Sequence, residues 1–190
     1  DQKDIIVAYS KDITKPCDNT LNLTFQHILT RINFAAKLAD SNYTYTVESI
    51  TITGAKGGAA TYTFGGTEGK GGNWNITGSA PASGYSYTFD NTVTAKDDIY
   101  DYTQNNNSLM LYPQSLTDAK ITVKYKTEKD NATFFNGSKE VALTGEWTNG
   151  QSIRYILTLP VGAEKMSVNT TYDEDWNATD NEQTPKTPVL

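Results

Sequence analysis

Few residues of this chain have the type and setting for chemistry. His27, in the stretch LNLTFQHILTRINF (residues 21–34), is the single histidine. An imidazole becomes a general base beside a nucleophile, or a metal ligand beside other ligands. No Ser or Cys adjoins it in sequence, so His27 is expected to pack or hydrogen-bond at a joint between strands. Cys17 has no second cysteine with which to form a disulfide or a metal cluster.

Carboxylates occur in two runs, Asp97, Asp98 and Asp101 in DDIYD, and Asp173, Glu174 and Asp175 in DEDW. Paired carboxylates can hydrolyse glycosides or ligate calcium. Neither run has the spacing of a calcium loop, and side chains on such acidic stretches are usually solvated. GGTEGKGG lacks the G-x-x-x-x-G-K-[ST] spacing of a phosphate loop. No catalytic residue, metal or cofactor is therefore expected, and the chain reads as a non-enzyme.

Aromatic side chains offer a different chemistry, the stacking of sugar rings. Trp74, Tyr85 and Tyr87 are candidate glycan contacts, with Tyr62 and Phe64 nearby. Alternation places Tyr85, Tyr87 and Phe89 on one face, so packing of a hairpin on the body of the fold is the favoured role for these rings.

The elements that must position these groups are strands. Period-two alternation recurs and no segment sustains helical spacing. Ile121, Val123 and Tyr125 alternate with Thr122, Lys124 and Lys126, as in a half-buried antiparallel strand. Ile153, Tyr155, Leu157 and Leu159 form a second inward set, preceded by TNG, whose Asn-Gly pair suits a tight hairpin turn. Lys165 to Thr171 forms a last short strand. Leu21, Leu23 and Phe25 share one phase, whereas Thr30, Ile32 and Phe34 share the other. A one-residue slip reverses the faces of a strand, so QHIL must hold a bulge, a crossover or a single helical turn. YTYTVESITIT shows a similar change of phase, with Ser49 as the candidate bulge. Pro113 should end a strand or lie on an edge.

Residues 54–84, rich in Gly, Thr and Ala, read as one or two exposed hairpins inserted in a single domain of residues 1–176. Residues 177–190 read as a flexible polar tail with prolines. An antiparallel β-sandwich is the economical all-β solution.

Composition agrees with an exported β protein: 12 tyrosines, abundant Thr, Asn, Ser and Gly, and no long Glu/Lys-rich helical blocks. The net charge of −6 and the lack of a basic cluster argue against nucleic acid as a partner. No apolar run is long enough for a transmembrane helix, so direct membrane insertion is not expected. Asn-x-Ser/Thr triplets at Asn22, Asn75, Asn131, Asn136, Asn169 and Asn177 are a weak glycosylation signal in a chain this rich in Asn and Thr.

Several stretches, taken in order, resemble the fimbrillin-like proteins of Bacteroidetes, the type V pilin superfamily. They are DIIVA, LNLTFQHILTRINF, SITITG, LMLYPQSLTDAKITVKY, LTGEWTNGQSIRYILTL and MSVNTTYDEDW, which together span nearly all of residues 4–176. The resemblance implies Greek-key, transthyretin-like topology and the second, carboxy-terminal sandwich domain of a two-domain subunit. It implies that Phe25, His27, Trp147, Tyr155 and Trp176 are structural signature residues. It further implies a subunit of an outer-membrane surface fimbria that assembles with homologous subunits by donor-strand exchange and supports adhesion. A host or bacterial surface glycan or protein is the further partner expected of such a subunit. Pro185 and Pro188 would interrupt a donor ladder, which favours an accessory or tip subunit over a stalk subunit.

Overall fold

The structure, a computed structural model, describes residues 3–10, 23–65, 71–95, 99–102 and 108–172, with the backbone alone described for 89–95. Its strands are β1 (Ile6–Ala8), β2 (Phe25–His27), β3 (Thr30–Leu38), β4 (Thr44–Thr53), β5 (Ala60–Thr63), β6 (Asn73–Ile76) and β7 (Tyr85–Ala95). They continue with β8 (Tyr100–Asp101), β9 (Leu109–Leu111), β10 (Lys120–Lys129), β11 (Ala132–Ala142), β12 (Ser152–Leu159) and β13 (Ser167–Tyr172). Among the described residues no helix is long and apolar enough to cross a membrane.

Two sheets face each other. One has the order β11-β10-β4-β7; the other has the order β13-β12-β3-β8, with β9 also paired to β3. The alternation in β10 resolves as expected: Ile121, Val123 and Tyr125 are fully buried. They meet Tyr45, Val47, Ile50 and Ile52 of β4, the β12 set Ile153, Tyr155, Leu157 and Leu159, and Ile32, Phe34 and Ala36 of β3 in one core. Tyr125 ties the layers together, its hydroxyl donating to the Pro160 carbonyl at 2.8 Å.

Pairing is antiparallel throughout the described strands with one exception. β3 and β12 run parallel, from Ser152↔Arg31 to Leu159↔Leu38. A parallel pair needs a long connection, and here the strands of the opposite sheet lie in the sequence between the two partners. The TNG turn consequently makes no hairpin. Gly150 has φ of 66° and Gln151 N–H donates to Thr148 O at 3.3 Å, but the turn carries the chain from β11 in one sheet to β12 in the other.

Both phase changes have local causes. In β4 the register with β10 shifts between Lys124 and Tyr125, which pair with Ser49 and Val47. Glu48 is thus the extra residue, one position before Ser49, and the bulge lets Tyr45 and Val47 share an inward face with Ile50 and Ile52. At QHIL the chain changes sheets. β2 pairs with β1 in a separate two-stranded ribbon, Ile28 and Leu29 turn inward, and β3 begins at Thr30. The face shared by Leu23 and Phe25 therefore does not enter the core; Phe25 is 60% exposed and Leu23 45%. Leu21 lies outside the described residues. β9 ends two residues before Pro113.

Among the described residues of the Gly-rich region, β5 pairs with β6 as a hairpin in the register Ala60↔Ile76 to Thr63↔Asn73.

Candidate functional site

Four places bear on function: the His27 joint, the aromatic row under the β5–β6 hairpin, the Trp147 and Tyr155 pair, and the outer edges of the two sheets.

At the joint, His27 Nδ1 meets Asp4 Oδ2, and both side chains are mostly buried. The Ile28 N–H donates to Ile5 O at 3.1 Å. These contacts, with the β1–β2 ladder, hold residues 3–10 to the domain. A carboxylate on an imidazole fixes ring orientation, and here the ring joins two segments that are 23 residues apart. Asp4 carried no sequence signal, because the contact is set by strand pairing.

The ribbon presents an apolar face to solvent. Ile6, Leu23 and Phe25 are each at least 45% exposed. Phe25→Ala is therefore expected to change stability by about 0.5 kcal/mol or less, whereas Phe34→Ala, in the core, should cost about 3–5 kcal/mol. Denaturant melts of the two variants check the contrast, and equal losses would mean that Phe25 is covered in solution.

Trp74 sits on the inner face of the hairpin. Its Nε1–H donates to Ile28 O at 2.7 Å, and its ring lies 5.1 Å from Tyr62 and 4.7 Å from Tyr112. Phe64 and Tyr9 extend the row at ring separations of 5.4 and 5.2 Å. Several rings are pinned at their polar ends: Gly72 N–H donates to the Tyr62 hydroxyl at 2.5 Å, and the Tyr112 hydroxyl donates to Gly58 O at 3.2 Å. The outward face of the hairpin is Thr61, Thr63, Asn73 and Asn75. Tyr85 and Tyr87 of β7 are half-buried against the core, with Tyr87 edge-on to Phe34 at 6.4 Å. Burial raises the pKa of both phenols. Thus Trp74 faces the body of the domain, and Tyr85 and Tyr87 line its core.

Trp147 and Tyr155 come together in the interior. The indole N–H donates to the Tyr155 hydroxyl at 2.9 Å, and Tyr155 stacks on Phe34 with centroids 6.4 Å apart. Trp147 is 2% exposed and Tyr155 3%. Burial pushes the Tyr155 phenol up to about 12, with the Trp147 hydrogen bond acting against it.

On the outer face of β3, Arg31 Nε donates to Ser108 Oγ at 2.9 Å, and Ser108 in turn donates to Asn33 Oδ1 at 2.5 Å. Asp101 lies 3.5 Å from Arg154. Neither contact was visible in the sequence, since both link strands distant along the chain. Trp176, Cys17, Asp97, Asp98, Asp173, Glu174 and Asp175 lie outside the described residues.

Among the described residues the sheets end at β11 and β7 in one layer, and at β13 and the short β8 and β9 in the other. Among the described residues, His27, Trp74, Trp147 and Tyr155 all engage partners within the domain. The fimbrillin-like family profile matches residues 1–176. The chain belongs to the fimbrillin-like family. Among solved structures, this fimbrillin-like chain is similar to a fimbrial protein from Bacteroides vulgatus ATCC 8482, at 17% identity and a TM-score of 0.60. The match covers 87% of this chain and 60% of that protein, so the chain spans less than two thirds of its relative's length. It is also similar to a candidate cell adhesion protein from Bacteroides uniformis ATCC 8492, at 12% identity and a TM-score of 0.43, covering 83% of this chain and 54% of that one. No curated protein matches the chain.

Proposed function

We propose that this fimbrillin-like chain is a non-catalytic subunit of a surface fimbria, of accessory or tip type, which joins related subunits by β-strand addition and supports adhesion outside the outer membrane. In this reading the chain is the carboxy-terminal sandwich domain of its subunit. The observation that carries the proposal is a fimbrillin-like sandwich whose edge strands, among the described residues, have a strand on one side only. Such an edge is a template for an extended strand from another chain. The accessory or tip role draws on residues 177–190. Pro185 and Pro188 lack the N–H that a donated strand would need, so the domain is better suited to accept a strand than to give one.

The test compares the full chain with one truncated after Trp176, each mixed with fimbrillin-like stalk subunits. Both should melt at the same temperature and both should enter heat-labile complexes on unboiled denaturing gels. Loss of the complexes on truncation would make residues 177–190 a donor and the chain a stalk subunit. If neither form enters complexes, the strand-addition reading falls.

A further inference from the structure

We infer that the acidic residues 173–176, DEDW, which lie outside the described residues, fold back over the outer face of the β3–β12 pair and are held there by Arg31 and Arg154. These two are the only arginines in the chain, and both lie on that face. Ile32 and Phe34 of β3 and Ile153 and Tyr155 of β12 enter the core, so alternation turns Arg31, Asn33 and Ala35, with Ser152 and Arg154, to the other side. The parallel register sets Ser152 beside Arg31 and Arg154 beside Asn33. This face is not open in the usual way. Asn33 and Ser152 are 4% exposed, Ser108 5% and Ala35 0%. On the outer face of the other sheet, Lys120, Thr122, Lys124, Lys126 and Glu128 of β10 are all half-buried or exposed. Arg154 accounts for part of the difference: it meets Asp101 at 3.5 Å across β3 and so roofs Ala35, which stands opposite Asp101. Polar side chains buried as deeply as Asn33 and Ser152 on the outer face of a two-layer fold call for a further cover.

Chain direction and length place DEDW to supply it. β13 runs antiparallel to β12 and ends at Tyr172 opposite Ile153, so the chain leaves β13 level with Ser152 and Arg31. Neighbouring strands lie about 4.8 Å apart, which puts β3 about 10 Å from β13. Three extended residues span about 10 Å, so Glu174, Asp175 and Trp176 suffice to cross β12 and reach Arg31. Charge selects the same occupant. A guanidinium matches a carboxylate with two parallel hydrogen bonds and keeps its charge when half-buried. Among the described strand residues this face carries Arg31, Lys37 and Arg154 against one carboxylate, Asp101, and the DED run brings three more. The family profile also continues to residue 176, four residues past β13, and so includes this segment in the domain. Docked in this way, the strap keeps the end of β13 from fraying, and residues 177–190 start from above β3 instead of from the β13 margin.

Crosslinking of the full monomeric chain tests the placement. Met110 stands beside Arg31. With Cys17→Ser as background, a short bismaleimide should join Met110→Cys to Trp176→Cys about tenfold faster than it joins Trp176→Cys to Lys124→Cys on the opposite sheet. A rate no greater than that of the control pair overturns the inference. Leaving Cys17 in place reports on residues 11–22, and Gln183→Cys reports on the tail. Preferential joining of Met110→Cys to either of these gives the cover to another segment and also overturns it. Charge is tested separately. Asp173→Asn, Glu174→Gln and Asp175→Asn together should lower the melting temperature by about 3–6 °C at low salt, and by about half as much or less in a chain that also carries Arg31→Met. An equal fall in both chains would show that the arginines do not hold the segment. Neither readout needs assembly, so each stands apart from the strand-addition reading.

Discussion

Trp147→Ala is expected to be among the most damaging single substitutions in the described core. Truncating a fully buried aromatic side chain costs about 3–5 kcal/mol through lost transfer energy and the cavity left behind. The indole also donates its N–H to the Tyr155 hydroxyl, so the variant removes one of that hydroxyl's partners in a buried setting. A buried polar group deprived of its partner adds about 1–3 kcal/mol. Folded domains have only about 5–15 kcal/mol in total, so the melting temperature should fall by at least about 10 °C. Trp147→Phe keeps much of the volume and loses the hydrogen bond, and it should lie between parent and alanine variant. Tyr155→Phe tests the bond from the other side, leaving the Trp147 N–H buried without its acceptor, at about 1–3 kcal/mol. Denaturant unfolding of the three variants decides the matter. A loss below about 1 kcal/mol for Trp147→Ala would show that the interior collapses around the site or that the indole is not packed as described.

Trp147 and Tyr155 also show how far the sequence could be read. The inward set of β12 was legible because a strand with its even and odd residues on different faces writes its burial directly into the chain. The same holds for β10 and for the bulge in β4, where the phase changes within one apolar run. The β2 segment was not legible in the same way. Leu23 and Phe25 alternate like core residues, but β2 pairs with β1 and not with either face of the sandwich, and alternation does not say which layer a face will meet. β11 was only partly visible, as EVALTGEW, because Asn136 and Gly137 break its pattern; pairing with β10 along Lys120↔Ala142 to Lys129↔Ala132 makes the strand. The parallel partnership of β3 and β12 has no local signature at all. The hydrogen bonds from Trp147 to Tyr155 and from Arg31 through Ser108 to Asn33, and the contact of His27 with Asp4, likewise arise from pairings that only the whole fold defines.

Alkaline pH should unfold this domain cooperatively, and buried tyrosines are the reason. Burial pushes Tyr155 up to about 12, and it raises Tyr45, Tyr102 and Tyr125 as well. In the unfolded chain a tyrosine loses its proton near pH 10. As pH rises above that value the unfolded state binds fewer protons than the folded state, so the stability of the fold declines. The contribution of Tyr155 is complete below about pH 10 and is lost as pH rises through about 12, a total of about 3 kcal/mol. Tyr45 and Tyr125 stack with centroids 6.3 Å apart at the centre of one sheet, so ionising one opposes ionising the other in the folded state. Their protons can leave freely only once the core has opened. Tyrosinate absorbance and far-ultraviolet circular dichroism should therefore change together over the same narrow pH interval, well above pH 8. Tyr155→Phe, although less stable at neutral pH, should show a shallower decline with pH because one linked proton has been removed. If the buried tyrosines ionise near pH 10 while the sheet signal stays intact, the phenols are reached by water in the folded protein and the core is looser than described.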